Sequence, residues 1–344
     1  MSKKRAPKYV LGVETSCDET SAAVLENGAT ILSNVIATQF DVHAEYGGVV
    51  PELASRRHIE VVSPVIDKAL ATAGITIDDV ELIAVTTSPG LIGSLTVGLS
   101  AAKGIAYANN IPFIGVNHIE GHLNAVHLEN TDIEYPYIGL VVSGGHTSLY
   151  YVKKFGDYKL LGATRDDAAG EAFDKVAKLM GIGFPGGPKL EKAAEGGNAE
   201  RYKFTMPKLN TGSKFQKARY DFSFSGLKTA VLNYFRSPDF KPSDTQDLAA
   251  SFQRAVSQFI VKNIERVLED KGAKGIVVSG GVAANKKLRE SIAELATHNN
   301  IKAYFPSLEL CTDNAAMIAF VGARRYELGE ASGWDQNADS TKGM

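Results

Sequence analysis

Two stretches of this chain carry the same unit. Residues 9–14 are a short apolar run, 15–20 a loop of small and polar residues, and 21–25 a second apolar run. Residues 138–142, 143–147 and 148–152 repeat that order. Run, tight polar connection and run together read as a hairpin. One such hairpin in each half predicts a duplicated, two-lobed fold. A third run, 275–278, leads into Ser279-Gly280-Gly281-Val282-Ala283-Ala284-Asn285 and a helix over 286–295. Strand, glycine turn and helix N-terminus leave backbone N–H groups pointing outward, which suits a phosphate or a carbonyl edge.

The residues between these landmarks alternate in period. Helical spacing is predicted over 59–73 with Gly74 as the stop, and strands over 82–87 and 111–116. The turn at 88–94 opens a helix through Ala108, and 169–180 is a helix stopped by Gly181. Pro188 sits where a new helix can start. Ser225 is placed to cap the helix after Asp221-Phe222-Ser223-Phe224. Residues 244–269 read as a long helix or pair of helices, and 313–329 as the last helix, with Thr312 or Asp313 as its cap. Strands alternating with helices predict an α/β fold with mixed sheets. The lobes are expected at 1–134 and 135–312, with the last helix packing near the first, and polar residues 330–344 as a flexible tail.

Composition narrows the function. A net charge of -2 gives no global basic field, so any RNA would be held by local patches or through a partner. Candidate patches are Arg56 with Arg57, Lys214 and Lys217 with Arg219, and Lys286 with Lys287. Two cysteines, Cys17 and Cys311, argue against a disulfide scaffold and fit a reducing compartment. No apolar run reaches the length of a membrane span. The basic stretch Met1-Ser2-Lys3-Lys4-Arg5 precedes a strand too short for a signal peptide. A cytoplasmic protein is expected.

Asn117-His118-Ile119-Glu120-Gly121-His122-Leu123 follows the strand at 111–116. On a helix, His118 and His122 leave one face about a turn apart, a spacing that lets two imidazoles hold one metal ion. Solvated or carboxylate-paired histidines have the same spacing. His127 lies too far along to share the face with certainty. A zinc peptidase of the H-E-x-x-H kind needs its glutamate directly after the first histidine. Here that position is Ile119, and Glu120 lies about 200° round the helix from His118, away from the metal face. Two histidines and a carboxylate with open positions suit iron or zinc on an oxygen-rich ligand.

Small-residue loops at three strand ends suggest a cleft between two lobes that clamps a nucleotide. In this order, with the duplicated hairpin, they resemble the actin-like ATPase superfamily. An ordinary kinase of that fold needs carboxylates in both phosphate loops. Glu14 and Asp18 stand in the first; the second has His146 and no carboxylate.

Longer motifs resemble one family more closely. Gly12-Val13-Glu14-Thr15-Ser16-Cys17-Asp18-Glu19-Thr20-Ser21, Pro51-Glu52-Leu53-Ala54-Ser55-Arg56, Asn117-His118-Ile119-Glu120-Gly121-His122, Val142-Ser143-Gly144-Gly145-His146-Thr147, Asp166-Asp167-Ala168-Ala169-Gly170-Glu171-Ala172-Phe173-Asp174-Lys175 and Asp221-Phe222-Ser223-Phe224-Ser225-Gly226-Leu227-Lys228 are similar to the TsaD family. These are the bacterial-type tRNA adenosine threonylcarbamoyltransferases. The resemblance implies transfer of threonylcarbamoyl from threonylcarbamoyl-adenylate to N6 of the adenosine 3′ of the anticodon, in tRNAs reading codons that begin with A. It implies one divalent metal on His118, His122 and Asp313, iron first and zinc as the alternative. It implies substrate contacts from Val141, Val142, Ser143, Gly144, Gly145, Asp174, Gly187, Glu191 and Asn285. Asp174 would accept from a ribose hydroxyl or the adenine amine, Gly187 would let the backbone pass close to the ring, and Asn285 would read an adenine or ribose edge.

The chain departs from the family pattern twice. Glu191 stands where many relatives have Asp, and Ser88-Pro89-Gly90 where relatives often have Gly-Pro-Gly. No general base for N6 is evident; Glu14 and Asp18 are candidates because their loop should face the cleft. The implied partners are a TsaB-like paralogue, forming a heterodimer through the N-terminal lobe, and a TsaE-like ATPase. The alternative is a catalytically quiet, nucleotide-dependent actin-like binding module whose partners carry the chemistry.

Overall fold

The computed structural model describes residues 5–205 and 219–344. It divides into two compact units, Met1–Thr131 with Ser307–Met344, and Asp132–Pro306.

The first unit holds β1 (Tyr9–Glu14), β2 (Glu19–Glu26), β3 (Thr30–Thr38), α1 (Phe40–Ala44), α2 (Pro51–Ala73), β4 (Leu82–Ser88), α3 (Ile92–Asn109), β5 (Phe113–Asn117) and α4 (His118–Ala125). The second holds β6 (Tyr137–Val142), β7 (Thr147–Lys154), β8 (Asp157–Ala163), α5 (Ala169–Leu179), α6 (Gly186–Ala194), α7 (Ser225–Phe235), α8 (Thr245–Lys271), β9 (Gly275–Ser279), α9 (Lys286–His298) and β10 (Lys302–Tyr304). The chain then returns to the first unit with α10 (Leu308–Cys311) and α11 (Ala315–Glu327).

The two sheets are the same object built twice. The first runs β3-β2-β1-β4-β5 and the second β8-β7-β6-β9-β10. In each, the central strand pairs antiparallel with the next in sequence and parallel with the later one, as β1 does with β2 and β4 and β6 with β7 and β9. This is the duplicated mixed-sheet α/β arrangement expected from the repeated hairpin.

In the first unit the sheet is covered on both faces, so β1 and β4 read as unbroken apolar runs. Leu11, Val13, Ile83 and Val85 pack with Val62, Ile66, Leu99 and Ala102 of α2 and α3. The alternate residues Gly12 and Ala84 face α11. A Cβ on Gly12 would lie 2.2 Å from the Ala315 carbonyl oxygen, and one on Gly322 would lie 2.4 Å from the Ala84 Cβ.

Helix boundaries differ from the sequence reading where polar contacts set them. α2 begins at Pro51 rather than 59; half of residues 51–58 are exposed, so the sequence shows no continuous apolar stripe there. Arg56 and Arg57 on that surface pair with Glu52 and Glu60 at 2.8 and 2.6 Å. Ser225 is the first helical residue of α7, not its cap. Asp166 accepts from Phe224 N at 2.8 Å and from the hydroxyl of Ser225 at 2.7 Å. α11 starts at Ala315 and is capped by Asn314, not by Thr312 or Asp313. Residues 245–271 form one helix.

Three strands go beyond the sequence reading: β3, β8 and β10. Of the basic patches, Lys214 and Lys217 lie outside the described residues, and Arg219 pairs with Asp270 at 2.7 Å.

The chain after α11 lies along the edge strand β5. Ser332 N donates to Phe113 O at 3.0 Å, Gly115 N donates to the Ser332 hydroxyl at 2.9 Å, and the Trp334 ring sits 5.2 Å from that of Phe113. Further on, Asp339 N donates to Thr87 O at 2.9 Å. An open sheet edge is thereby covered.

Candidate functional site

β5 turns directly into α4. The Asn117 side chain accepts from Ile119 N at 2.9 Å and Glu120 N at 3.2 Å, so the helix begins at His118. His118 and His122 therefore share a face, with ring centroids 4.6 Å apart. The third group comes from the turn before α11. Because Asn314 takes the capping role, accepting from Met317 N at 3.1 Å, the Asp313 carboxylate is turned to the histidines. Its Oδ1 lies 2.9 Å from His122 Nε2 and 3.6 Å from His118 Nε2. One ligand atom from each of the three residues falls within 4.8 Å of the others. His127, by contrast, lies against Phe320 with ring centroids 6.2 Å apart.

Residues around this group orient it. His118 Nδ1 donates to Glu14 Oε2 at 3.0 Å, with the Ser16 hydroxyl 3.1 Å away. Glu14 Oε1 accepts from Ser16 N, and Oε2 accepts from the Thr86 hydroxyl, each at 2.5 Å. An ionised carboxylate only accepts, so the Nδ1 proton stays on the histidine and Nε2 is directed at Asp313. Glu14 is fully buried with both oxygens engaged, which leaves it no path to act as a base on a substrate.

The two carboxylates beside His118 favour positive charge there. Burial alone would lower the pKa of His118, but Asp313 and Glu14 overcome it and raise the value to about 9. Burial would raise Glu14, yet the charge on His118 holds it below the ordinary carboxylate range. Nearby Glu19 is pushed well up by burial and by the charges of Asp18 and Asp313. Two imidazole nitrogens and a carboxylate oxygen, converging where negative charge already accumulates, fit a divalent first-row metal. The sequence marks these supporting roles of Glu14, Ser16 and Thr86 only by a Glu at the end of an apolar run followed by small hydroxyl residues.

The second unit gathers the other candidates. Val141 and Val142 are buried at the end of β6. The turn after them is closed by Ser143 N donating to His146 O at 2.8 Å. Gly144 and Gly145 at its tip are exposed, and a Cβ on either would meet nothing within 4 Å. Asp174 Oδ1 accepts from Gly186 N at 2.7 Å, fixing the start of α6, and the next residue, Gly187, also faces open space. Glu191 Oε1 accepts from Lys286 N at 2.8 Å, a span its extra methylene helps to reach. Asn285 is engaged at both ends of its amide: Oδ1 accepts from Leu288 N at 3.0 Å and Nδ2 donates to Gln253 at 2.9 Å. Asp174, Gly187, Glu191 and Asn285 thus lie along one hydrogen-bonded path through α5, α6 and the start of α9. Gly280 ties this path to β6, because a Cβ there would lie 2.5 Å from Val142 O.

Known proteins resemble the chain over most of its length. A family model described as tRNA N6-adenosine threonylcarbamoyltransferase matches residues 30–320. A protein of that name from Geobacter sp. (strain M21) is 52% identical over 330 residues, covering 96% of this chain and 94% of the relative. One from Clostridium perfringens (strain SM101 / Type A) is 50% identical over 323 residues, covering 93% of each. Among solved structures, HypF of T. kodakarensis superposes with a TM-score of 0.63 at 15% identity, over 95% of this chain and 49% of that one. Component A of the Acidaminococcus fermentans (R)-2-hydroxyglutaryl-CoA dehydratase gives 0.55 at 14% identity, over 92% and 98%. These two show the fold, the duplicated actin-like α/β arrangement. The closer relatives and the family model show more: this chain belongs to the TsaD family of tRNA N6-adenosine threonylcarbamoyltransferases.

Proposed function

We propose that this chain transfers the threonylcarbamoyl group of threonylcarbamoyl-adenylate to N6 of the adenosine 3′ of the anticodon, in tRNAs reading codons that begin with A. Family membership along almost the whole chain carries this reading. The convergence of His118, His122 and Asp313 supports it over a catalytically quiet binding module.

In the transfer, a bond forms between N6 and the carbamoyl carbon. The bond from that carbon to the adenylate phosphate oxygen breaks, AMP leaves with the electron pair, and N6 gives up one proton. His118, His122 and Asp313 would hold one divalent metal, iron first and zinc second. Bound there, it supplies Lewis-acid polarisation of phosphate or carbamoyl oxygens. Glu14 keeps the His118 imidazole in the orientation that presents Nε2. With Ser143 closing the turn, Gly144 and Gly145 offer backbone N–H groups and open space to a phosphate, beside Val141 and Val142. Gly187 leaves room for a ring. Asp174, Glu191 and Asn285 hold the helix starts that flank it. With Glu14 committed, Asp18 in the same loop is the candidate to receive the N6 proton.

A tRNA-modifying reaction supports a cytoplasmic location; no helix among the described residues is long and apolar enough to cross a membrane. The net charge of -2 favours tRNA binding shared with partners, which we take to be a TsaB-like paralogue on the first unit and a TsaE-like ATPase. Exposed Ile59 on α2 and Ile92 at the start of α3 suit such a protein contact. The test supplies the chain, both partners, threonine-labelled threonylcarbamoyl-adenylate and unmodified tRNA. Label in the tRNA, absent when this chain is omitted, is expected. No label, with partners that support a known family member, overturns the assignment.

A further inference from the structure

Glu120 lies between the two histidines in sequence but on the opposite side of α4, and it is fully buried. Its Oε2 accepts from Arg325 of α11, at 2.8 Å from Nε and 2.7 Å from Nη2. Arg325 in turn reaches Glu330 at 2.7 Å. The next residue, Gly121, is pressed onto the first turn of α11: a Cβ there would lie 2.8 Å from Ile318 Cδ1 and 3.1 Å from Met317 Cγ. His122 then meets Asp313, which precedes the same helix, at 2.9 Å. α4 is thus held against α11 at three points around its circumference: by a charge pair on one side, backbone contact in the middle, and the proposed metal ligands on the other.

α4 has 8 residues, too few to hold a fixed attitude without tertiary contacts. Turning such a helix by about 20° moves a side-chain tip roughly 5–6 Å from its axis by about 2 Å. That is enough to separate an imidazole from a shared ligand point. Apolar contact at Gly121 sets the distance between the helices but resists rotation weakly. A buried ion pair adds little net stability compared with apolar residues of similar size, and its better-attested contribution is directional.

We propose that the Glu120–Arg325 pair is the positioning element of the metal centre, fixing the rotation of α4 so that His118 and His122 both face Asp313. This rests on the reading of those three residues as metal ligands. The pair touches neither metal nor substrate, so its effect is on metal affinity rather than on a chemical step.

The test is Co(II) binding, followed by visible absorption, and Zn(II) affinity by competition with a chromophoric chelator, using the full chain. Circular dichroism fixes a temperature at which every variant is folded. Glu120→Leu keeps the volume but removes the acceptor, and is expected to weaken metal binding about ten- to a hundredfold. Glu120→Gln keeps an accepting oxygen for Arg325, and is expected to stay within about threefold of wild type. If Glu120→Leu does not fold, Arg325→Lys carries the test, with an expected loss of about three- to tenfold because one ammonium does not reproduce the guanidinium fork. Wild-type affinity in Glu120→Leu, or in Arg325→Lys where that variant is decisive, overturns the positioning role and leaves the metal site standing. Failure of wild type to bind either metal overturns the metal site and the positioning role together.

Discussion

Glu14 Oε2 stands 3.0 Å from His118 Nδ1, and the same carboxylate accepts from Ser16 N and the Thr86 hydroxyl. The first strand of the fold is thereby joined to the first proposed ligand of the metal group. Glu14→Gln replaces one acceptor with an NH₂ that faces groups already donating. Metal affinity is expected to fall about ten- to a hundredfold. Metal content after dialysis against a weak chelator checks this, and wild-type retention would remove Glu14 from the account.

Asn314 separates capping from ligation at the start of α11. Its Oδ1 accepts from Met317 N at 3.1 Å, and its Nδ2 donates to Thr312 O at 2.8 Å, on either side of Asp313. Asn314→Ala is expected to cost about 1–2 kcal/mol of stability and to loosen metal binding, since both bonds hold the Asp313 turn. Denaturant midpoints and zinc titration read the two effects separately. A stability loss with unchanged zinc affinity would confine Asn314 to the helix.

Two glycines of the first unit should respond in opposite directions. Gly12→Ala places a Cβ 2.2 Å from the Ala315 carbonyl oxygen, a backbone atom that cannot swing aside. The expected loss is about 1–3 kcal/mol. Gly104, exposed on α3, has nothing within 4 Å of a Cβ. Gly104→Ala should stabilise by about 0.5–1 kcal/mol. Equal effects in chemical denaturation would contradict the packing of β1 on α11.

Burial, and then the Arg324 charge, hold the His127 imidazole down to about 4. Its folded value lies below the unfolded one of about 6.5, so the unfolded chain takes up this proton first on acidification. The stability contributed by neutral His127 is therefore complete above about 6.5 and is lost as pH falls towards 4. His127→Gln should make the decline across that window shallower than in wild type. Parallel stability curves for the two proteins would show that His127 does not titrate as its surroundings demand.

The parts visible in the sequence were those with strong local signals. The buried strands β1, β4, β6 and β9 are covered on both sides or run apolar throughout, and the two hairpin loops repeat. The strands not read, β3, β8 and β10, lie at sheet edges, where half-exposed residues such as those of Tyr158, Lys159 and Leu160 break the apolar pattern. His118 and His122 were legible because helical spacing is local. The hydrogen bond from His118 to Glu14 spans 104 residues, and the pairing of Glu120 with Arg325 spans 205, so no local pattern encodes either. Asp313 and Asn314 are adjacent residues with similar capping propensity, and only the positions of the two histidines decide which one caps the helix and which one turns to them.

The most direct test of the central claim is the rate of threonylcarbamoyl transfer to tRNA by the chain with its partners, measured after chelation, after restoring Fe(II) or Zn(II), and with Asp313→Ala. Activity is expected to fall on chelation, return with metal, and stay at least about a hundredfold down in Asp313→Ala whatever metal is added. Full transfer by a metal-free chain, or by Asp313→Ala, would contradict the claim.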